Sequence, residues 1–423
     1  MLLTSLLLLV SATSRQRTTR MSPALPPGTP TFSNEVVRIF QAHCQSCHRE
    51  GDIAPFPLET YADAKGHATL IKFMTSTRQM PPWKAVAGCG SFVGEEERTL
   101  TQPQINTIAK WVDAGAPEGN RTDLPSALPE SSDWPLGAPD LVLSSPEPFQ
   151  ARAGTDTYRC FTIPAKSDVN RWVSAVDFRP GDREVVHHVI AYLDTTGASV
   201  ALDEKEPGAG YNCFGGPGFD LPGTLGGWAP GSRPRALPPE VAMSLPANAR
   251  VVLQVHYHPH QDNPQPDQTA IGIYFAKQKP KQQLRILPII NQDFTIPPGD
   301  PSYRVDASWP IDTPFPIHVW FVAPHMHLLG RTMHVQATLP GGATRCLMKV
   351  DDWDFQWQGT YNFREPVAVP ALSRLKLSAT FDNSADNPRN PNNPPKPVSW
   401  GEATTDEMCI AFLGITIDGE VIR

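Results

Sequence analysis

The chain has no excess of basic charge: across 423 residues, 36 Lys and Arg face 43 Asp and Glu, a formal net charge of −7. Without a basic surface to neutralise phosphates, nucleic acid and anionic lipid are poor partners. The N-terminal apolar run, Met1 to Val10, is far too short to span a bilayer, so no stable membrane span is expected. Proline and glycine are plentiful, at 46 and 30 residues, but follow no fixed period, which excludes a collagen-like chain. Ser, His and Asp are all available, yet no nucleophile-elbow motif presents a serine for hydrolase chemistry. The glycine-rich piece Gly215-Gly216-Pro217-Gly218 lacks the strand-to-helix setting of a phosphate cradle and reads as a turn.

What is present points to two or three domains, mostly of short strands joined by turns. Residues 1–20 read as a leader: an apolar run, then the small residues Ser11-Ala12-Thr13-Ser14. The usual positive charge before the run is missing, since Arg15, Arg17 and Arg20 follow it, and Met21 is an alternative start. Beyond a proline-rich lead-in, His43-Cys44-Gln45-Ser46-Cys47-His48 contains Cys-x-x-Cys-His, the attachment signature of c-type haem. Two thiols form thioethers and the adjacent histidine binds the iron; a redox dithiol or half a zinc site is the alternative. Met80, on the proline-stiffened loop Arg78-Gln79-Met80-Pro81-Pro82-Trp83, is the candidate sixth ligand, with Met74 as the fallback and plain core packing as the alternative. Thr101-Gln102-Pro103-Gln104 is an N-cap box, after which Ile105, Ile108 and Val112 form one helical face closed by Gly115. Residues 30–120 thus form a small all-α module, in the ligand order of a class I cytochrome c, which it resembles.

Residues 121–150 read as a linker, rich in Pro, Ser, Gly and Asp. From Tyr158 onward, short alternating or β-branched runs predict two β-sandwich domains, 151–285 and 286–423, with no internal sequence repeat between them. The chemistry-bearing residues are histidines. In Pro324-His325-Met326-His327, the period of two puts His325 and His327 on one face of a strand, a two-nitrogen metal grip. His187 and His188 are adjacent, so a regular strand sends them to opposite faces, and binding one metal requires a bulge or strand end there. His256 is the third candidate for that site; His258 shares its face and His260 lies just beyond. For His325 and His327, Met408 is the candidate partner at the head of the last apolar strand; its thioether favours copper, while core packing is the simpler reading.

Four motifs occur in order: His187-His188, Gln254-Val255-His256-Tyr257, His325-Met326-His327 followed by Leu328-Leu329-Gly330, and Asp406-Glu407-Met408-Cys409. Together with Asp156-Thr157-Tyr158-x-Cys160, Asp177-Phe178-Arg179-Pro180 and Ile296-Pro297-Pro298-Gly299, this order resembles the copper type II, ascorbate-dependent monooxygenases, the peptidylglycine and dopamine hydroxylating type. The resemblance covers about residues 155–415. It implies a mainly β fold with two jelly-roll-like β-sandwich domains, and two copper ions. One, on His187, His188 and His256, serves electron transfer; the other, on His325, His327 and Met408, binds dioxygen and performs hydroxylation. His258 and His260 lie outside the matched motif and remain candidates for supporting roles.

The expected activity is therefore hydroxylation of a C–H bond in a small-molecule substrate by dioxygen, with a covalently bound haem c relaying electrons from a periplasmic donor. The alternative is a non-catalytic copper and haem electron-transfer protein. Two positions depart from the peptide-amidating enzyme: its arginine before His-x-His is Ala323, and its tyrosine after the methionine motif is Phe412, so a peptide carboxylate has no anchor. Of seven cysteines, the haem takes Cys44 and Cys47. The resemblance implies a Cys160–Cys213 bridge, leaves Cys409 either free or paired with Cys346, and makes Cys89 the expected leftover. Bridges, haem attachment and a leader agree on a periplasmic or secreted location.

Overall fold

The computed structural model describes residues 26–422 except 51, 53, 129–133, 155 and 259–264, so the leader, Met21 and His260 lie outside the described residues. The described chain is mainly β with few helices, which gather at its N-terminal end. A π-helical turn, Phe32–Val36, leads into α1 (Val37–His43); α2 (Tyr61–Gly66), α3 (Ala68–Ser76) and α4 (Gln102–Asp113) follow. The N-cap box on α4 forms as the sequence implies: the Thr101 hydroxyl accepts from Gln104 N, and the Gln104 side chain returns to Thr101 N. Ile105 and Ile108 are buried, but Trp111 rather than Val112 completes the buried face, meeting the Phe40 ring edge-on at 6.3 Å. Gly115, just past the helix, takes φ +86°, the left-handed conformation glycine adopts at little cost. One short helix, α5 (Ala198–Asp203), lies elsewhere.

The first β region contains β1 (Leu141–Ser144), β2 (Thr157–Pro164), β3 (Arg171–Arg179), β4 (Val186–Asp194), β5 (Tyr211–Asn212), β6 (Thr224–Trp228), β7 (Val241–Leu245), β8 (Arg250–Tyr257), β9 (Ala270–Phe275) and β10 (Gln282–Gln283). They form two five-stranded sheets, β1-β9-β3-β7-β10 and β5-β2-β8-β4-β6, which enclose one core that includes Phe161, Val189, Leu253 and Ile271. β1 comes from the stretch expected to be linker, and pairs along its length with β9.

The second region contains β11 (Arg285–Asn291), β12 (Thr295–Ile296), β13 (Tyr303–Pro310), β14 (Ile317–His325), β15 (Gly330–Thr338), β16 (Thr344–Val350), β17 (Tyr361–Val369), β18 (Arg374–Phe381), β19 (Val398–Ser399) and β20 (Cys409–Ile417). Its two four-stranded sheets, β11-β20-β14-β17 and β13-β18-β15-β16, share a core that includes Val319, Val335, Leu377 and Leu413. The Asn- and Pro-rich loop after β18 is ordered by Asn383, whose amide donates to the carbonyls of Ile296, Pro297 and Lys396.

The N-terminal segment does not stand apart from this second region. Ala85 bridges to Val350 and Phe92 to Phe363, and the Phe92 ring is part of the second core. Lys84 pairs with Asp352 at 2.8 Å, and Cys89 forms a disulfide with Cys346 across 257 residues of sequence. That bridge corrects the expectation that Cys89 is left over. Nothing local in the sequence signals it, because the two cysteines meet only when the segment 83–93 lies along the second sheet pair. Cys409 is free and buried, and the Cys160–Cys213 bridge is present.

Candidate metal centres

The first histidine cluster is built by sheet geometry. His188 and His256 are register partners on neighbouring antiparallel strands β4 and β8, and Tyr158 of β2 is the partner of His256 on its other side. Cross-strand partners share a face. A register shift between Val186 and His188 is the irregularity that two adjacent histidines require, and it brings His187 to the same place. The ligand atoms of His187, His188 and His256 all lie within 4.8 Å of one another.

Two features of this cluster suit a bound cation. His187 Nδ1 and His188 Nδ1 approach to 3.2 Å, and in the fully buried His256 ring Nδ1 lacks a hydrogen-bond partner while Nε2 has only the Asp156 carboxylate, at 3.4 Å. Buried polar atoms without partners are rare, and a metal is one way to satisfy them. Burial, then the neighbouring imidazoles, hold the pKa of His187 and His188 well below the ordinary value. His256 is lowered by burial as well, against the opposing pull of Asp156. Neutral imidazoles are the ligating form. Tyr158 stacks on the His256 ring at 4.1 Å and 7°, which limits its rotation.

The second cluster depends on polar anchors. His325 is the last residue of β14, and its register partner on β20 is Ile410. His327 and Met408 lie just past the ends of β14 and β20. The same Glu407 carboxylate oxygen accepts from His327 N at 2.8 Å and Met408 N at 3.1 Å, so both backbones are held to one group. The His325 and His327 rings stand 5.2 Å apart and nearly perpendicular. His325 Nδ1 meets Gln358 Oε1 at 2.5 Å and His327 Nδ1 meets the Asp406 carbonyl at 3.1 Å, which leaves each Nε2 for a ligand. Burial lowers the pKa of His325 to about 4 and of His327 to about 3. The Trp353 indole donates to the His327 carbonyl at 3.1 Å.

The clusters face one another. Phe355 stacks on His187 at 5.0 Å and meets His327 edge-on at 5.8 Å, so one ring touches a histidine of each. Gln358, Glu407, Phe355 and Trp353 went unrecognised in the sequence. Glu407 alone carried a signal, as an acid inside the Asp-Glu-Met-Cys motif. His258 does not join the three-histidine cluster; it bonds Asp156 instead.

Residues 283–415 match the family model for the copper type II ascorbate-dependent monooxygenase, C-terminal domain. The chain is 24% identical to human DBH-like monooxygenase protein 1 over 284 residues, covering 61% of this chain and 44% of that protein. It is 26% identical to human putative DBH-like monooxygenase protein 2 over 277 residues, covering 61% of this chain and 52% of that protein. These matches support the copper type II monooxygenase family. The matched family domain contains His325, His327 and Met408; the three-histidine cluster and the Cys-x-x-Cys-His segment lie outside it. The chain spans about half the length of these curated relatives. Among solved structures, it is similar to PNGase F of Flavobacterium meningosepticum at a TM-score of 0.25 and 10% identity, covering 67% of this chain and 98% of that one. A likeness at that score carries no argument.

The N-terminal helices place the remaining motif. His48 Nδ1 meets the Phe56 carbonyl at 2.9 Å, leaving Nε2 for a ligand, and the His67 ring stacks on Phe56 at 3.8 Å. Cys44 and Cys47 are free, and burial followed by the charge of Cys47 pushes the Cys44 thiol up to about 12. Arg98 lies within electrostatic reach of both Cys47 and Tyr361, and its guanidinium sits over the Trp83 ring at 5.8 Å. Among the described residues no ion pair involves Arg98, and the buried Trp83 Nε1 has no hydrogen-bond partner. Arg98 and Trp83 Nε1 are thus two neighbouring donors without a partner among those residues. No described helix is long and apolar enough to cross a membrane.

Proposed function

We propose that the chain is a copper-dependent monooxygenase that hydroxylates a C–H bond of a small substrate with dioxygen, and that its N-terminal module feeds it electrons through a covalently attached haem c. The observation that carries the reading is the pairing of two histidine clusters across Phe355, with the backbones of His327 and Met408 held on one Glu407 oxygen. His187, His188 and His256 would hold one copper, for electron transfer. His325, His327 and Met408 would hold the other, the softer thioether favouring the reduced ion that reacts with dioxygen. Hydroxylation then consumes one dioxygen, two electrons and two protons, and yields the alcohol and water.

The chain's own residues supply orientation. Gln358 and the Asp406 carbonyl fix the His325 and His327 rings, and Glu407 fixes the backbones beneath them. Ala323 and Phe412 are register partners next to this site, and neither offers a cation or a hydroxyl to a substrate carboxylate. A C-terminal peptide carboxylate is therefore a poor substrate.

Cys44, Cys47 and His48 would hold the haem, Met80 its sixth position, and Trp83 Nε1 with Arg98 its carboxylates. The connection onward is packed: the Trp83 ring meets Tyr361 at 5.1 Å, and the chain between Tyr361 and Gln358 leads to His325. A module tethered by the Cys89–Cys346 disulfide supplies electrons at high effective concentration. The two disulfides support a location in the periplasm or outside the cell, where a covalent haem would also be attached. The test is turnover of the copper- and haem-loaded protein under isotope-labelled dioxygen. Label in a hydroxylated product is expected; rapid reoxidation that yields only peroxide would overturn the monooxygenase reading in favour of electron transfer alone.

A further inference from the structure

Asp156, just before β2, touches both β regions. Its Oδ1 lies 3.4 Å from His256 Nε2 and also bonds His258 Nδ1. Its Oδ2 accepts from the Thr404 hydroxyl at 2.7 Å, across 248 residues of sequence. Thr404 belongs to the loop 401–407 between β19 and β20, which is folded on itself: Asp406 N donates to the Ala403 carbonyl at 2.8 Å and Ala403 N to the Asp406 carboxylate at 3.1 Å. The same loop presents the Asp406 carbonyl to His327 and the Glu407 carboxylate to His327 and Met408.

We propose that Asp156 is a positioning residue that clasps the three-histidine cluster to the loop holding His327 and Met408, and so sets the separation of the two centres. One oxygen steadies His256 with its Nδ1 turned to the cluster, as a carboxylate behind a ligating histidine does. The other oxygen fixes Thr404, and because the loop is internally bonded, a shift of Thr404 moves Asp406 and Glu407 with it. This role rests on the copper reading of the two clusters.

The experiment uses the full-length protein loaded with copper(II) alone. Thr404→Val removes only the cross-region bond and keeps side-chain shape; Asp156→Asn weakens both halves of the clasp. Copper affinity at the three-histidine site and the dipolar interaction between the two cupric ions are read by titration and pulsed electron paramagnetic resonance. For Thr404→Val, unchanged copper affinity with a broadened distance distribution is expected. For Asp156→Asn, affinity at the three-histidine site should also fall by roughly tenfold. If both variants bind copper normally with distance distributions that superimpose on the wild type, the clasp is overturned alone. If the wild type takes up no copper at the histidines, the copper reading is overturned and the clasp falls with it.

Discussion

The two histidine clusters are held in different ways. In the first β region the imidazoles come from adjacent paired strands, and a bulge in β4 with the stacked Tyr158 ring does most of the aiming; the carboxylate at the His256 ring is that of Asp156, 3.4 Å from Nε2. In the second, His327 and Met408 lie beyond the strand ends, and Gln358, Asp406, Glu407 and Trp353 supply the orientation that the sheet no longer gives. A centre built on paired strands is fixed by many backbone bonds, each replaceable by its neighbours. A centre at strand ends is fixed by a few polar side chains, so a single substitution there has more to disturb.

The largest separation between the clusters should come from Met408→Ala. Loss of the thioether is expected to abolish hydroxylation and to leave the three-histidine site loaded, so copper content falls from two ions toward one while haem reduction is unaffected. Retained hydroxylation would remove Met408 from the oxygen site. Next in size is Glu407→Ala. Burial raises this carboxyl's pKa to about 8 even though backbone N–H groups of His327, Leu329 and Met408 donate to it. Removing it leaves those donors buried and unmatched, at about 1–3 kcal/mol each. A loss of roughly 4 kcal/mol in denaturant unfolding is expected, with copper lost first from the second cluster; equal loss from both would erase the contrast between them.

Much of this contrast was legible in the sequence and its central part was not. The period of two in His325-Met326-His327 gave a shared face, and the adjacency of His187 and His188 required a bulge that β4 contains. The N-cap box at Thr101 likewise follows from residues three apart. Gln358, Phe355 and Thr404 had no such signature, because each acts on a partner tens to hundreds of positions away that only the folded sheets bring near. The Cys89–Cys346 bridge was missed for the same reason: spacing says nothing about two cysteines that meet when a helical module's trailing segment packs on a distant sheet. On α4, a pattern of aliphatic residues selected Val112, whereas the larger Trp111 fills the space against Phe40.

The first region has its own buried carboxylate, and it gives the smallest expected effect. Asp267 accepts from Gly181 N at 2.7 Å, Asp182 N at 3.0 Å, the Thr269 hydroxyl at 2.8 Å and the Tyr257 hydroxyl at 2.8 Å. Tyr257 follows His256 on β8, so its ring points to the opposite face, into the core beside Phe149. Tyr257→Phe keeps that ring and removes one of several donors, so Asp267 stays satisfied and the cost should be about 1 kcal/mol. Copper affinity at the three-histidine cluster should not change, because the strand pairing of β8 with β2 and β4 is untouched. A fall in affinity as large as that from Asp156→Asn would show that side-chain hydrogen bonds remote from the imidazoles, and not the paired strands with Asp156 alone, hold the first cluster, and the two centres would then be alike.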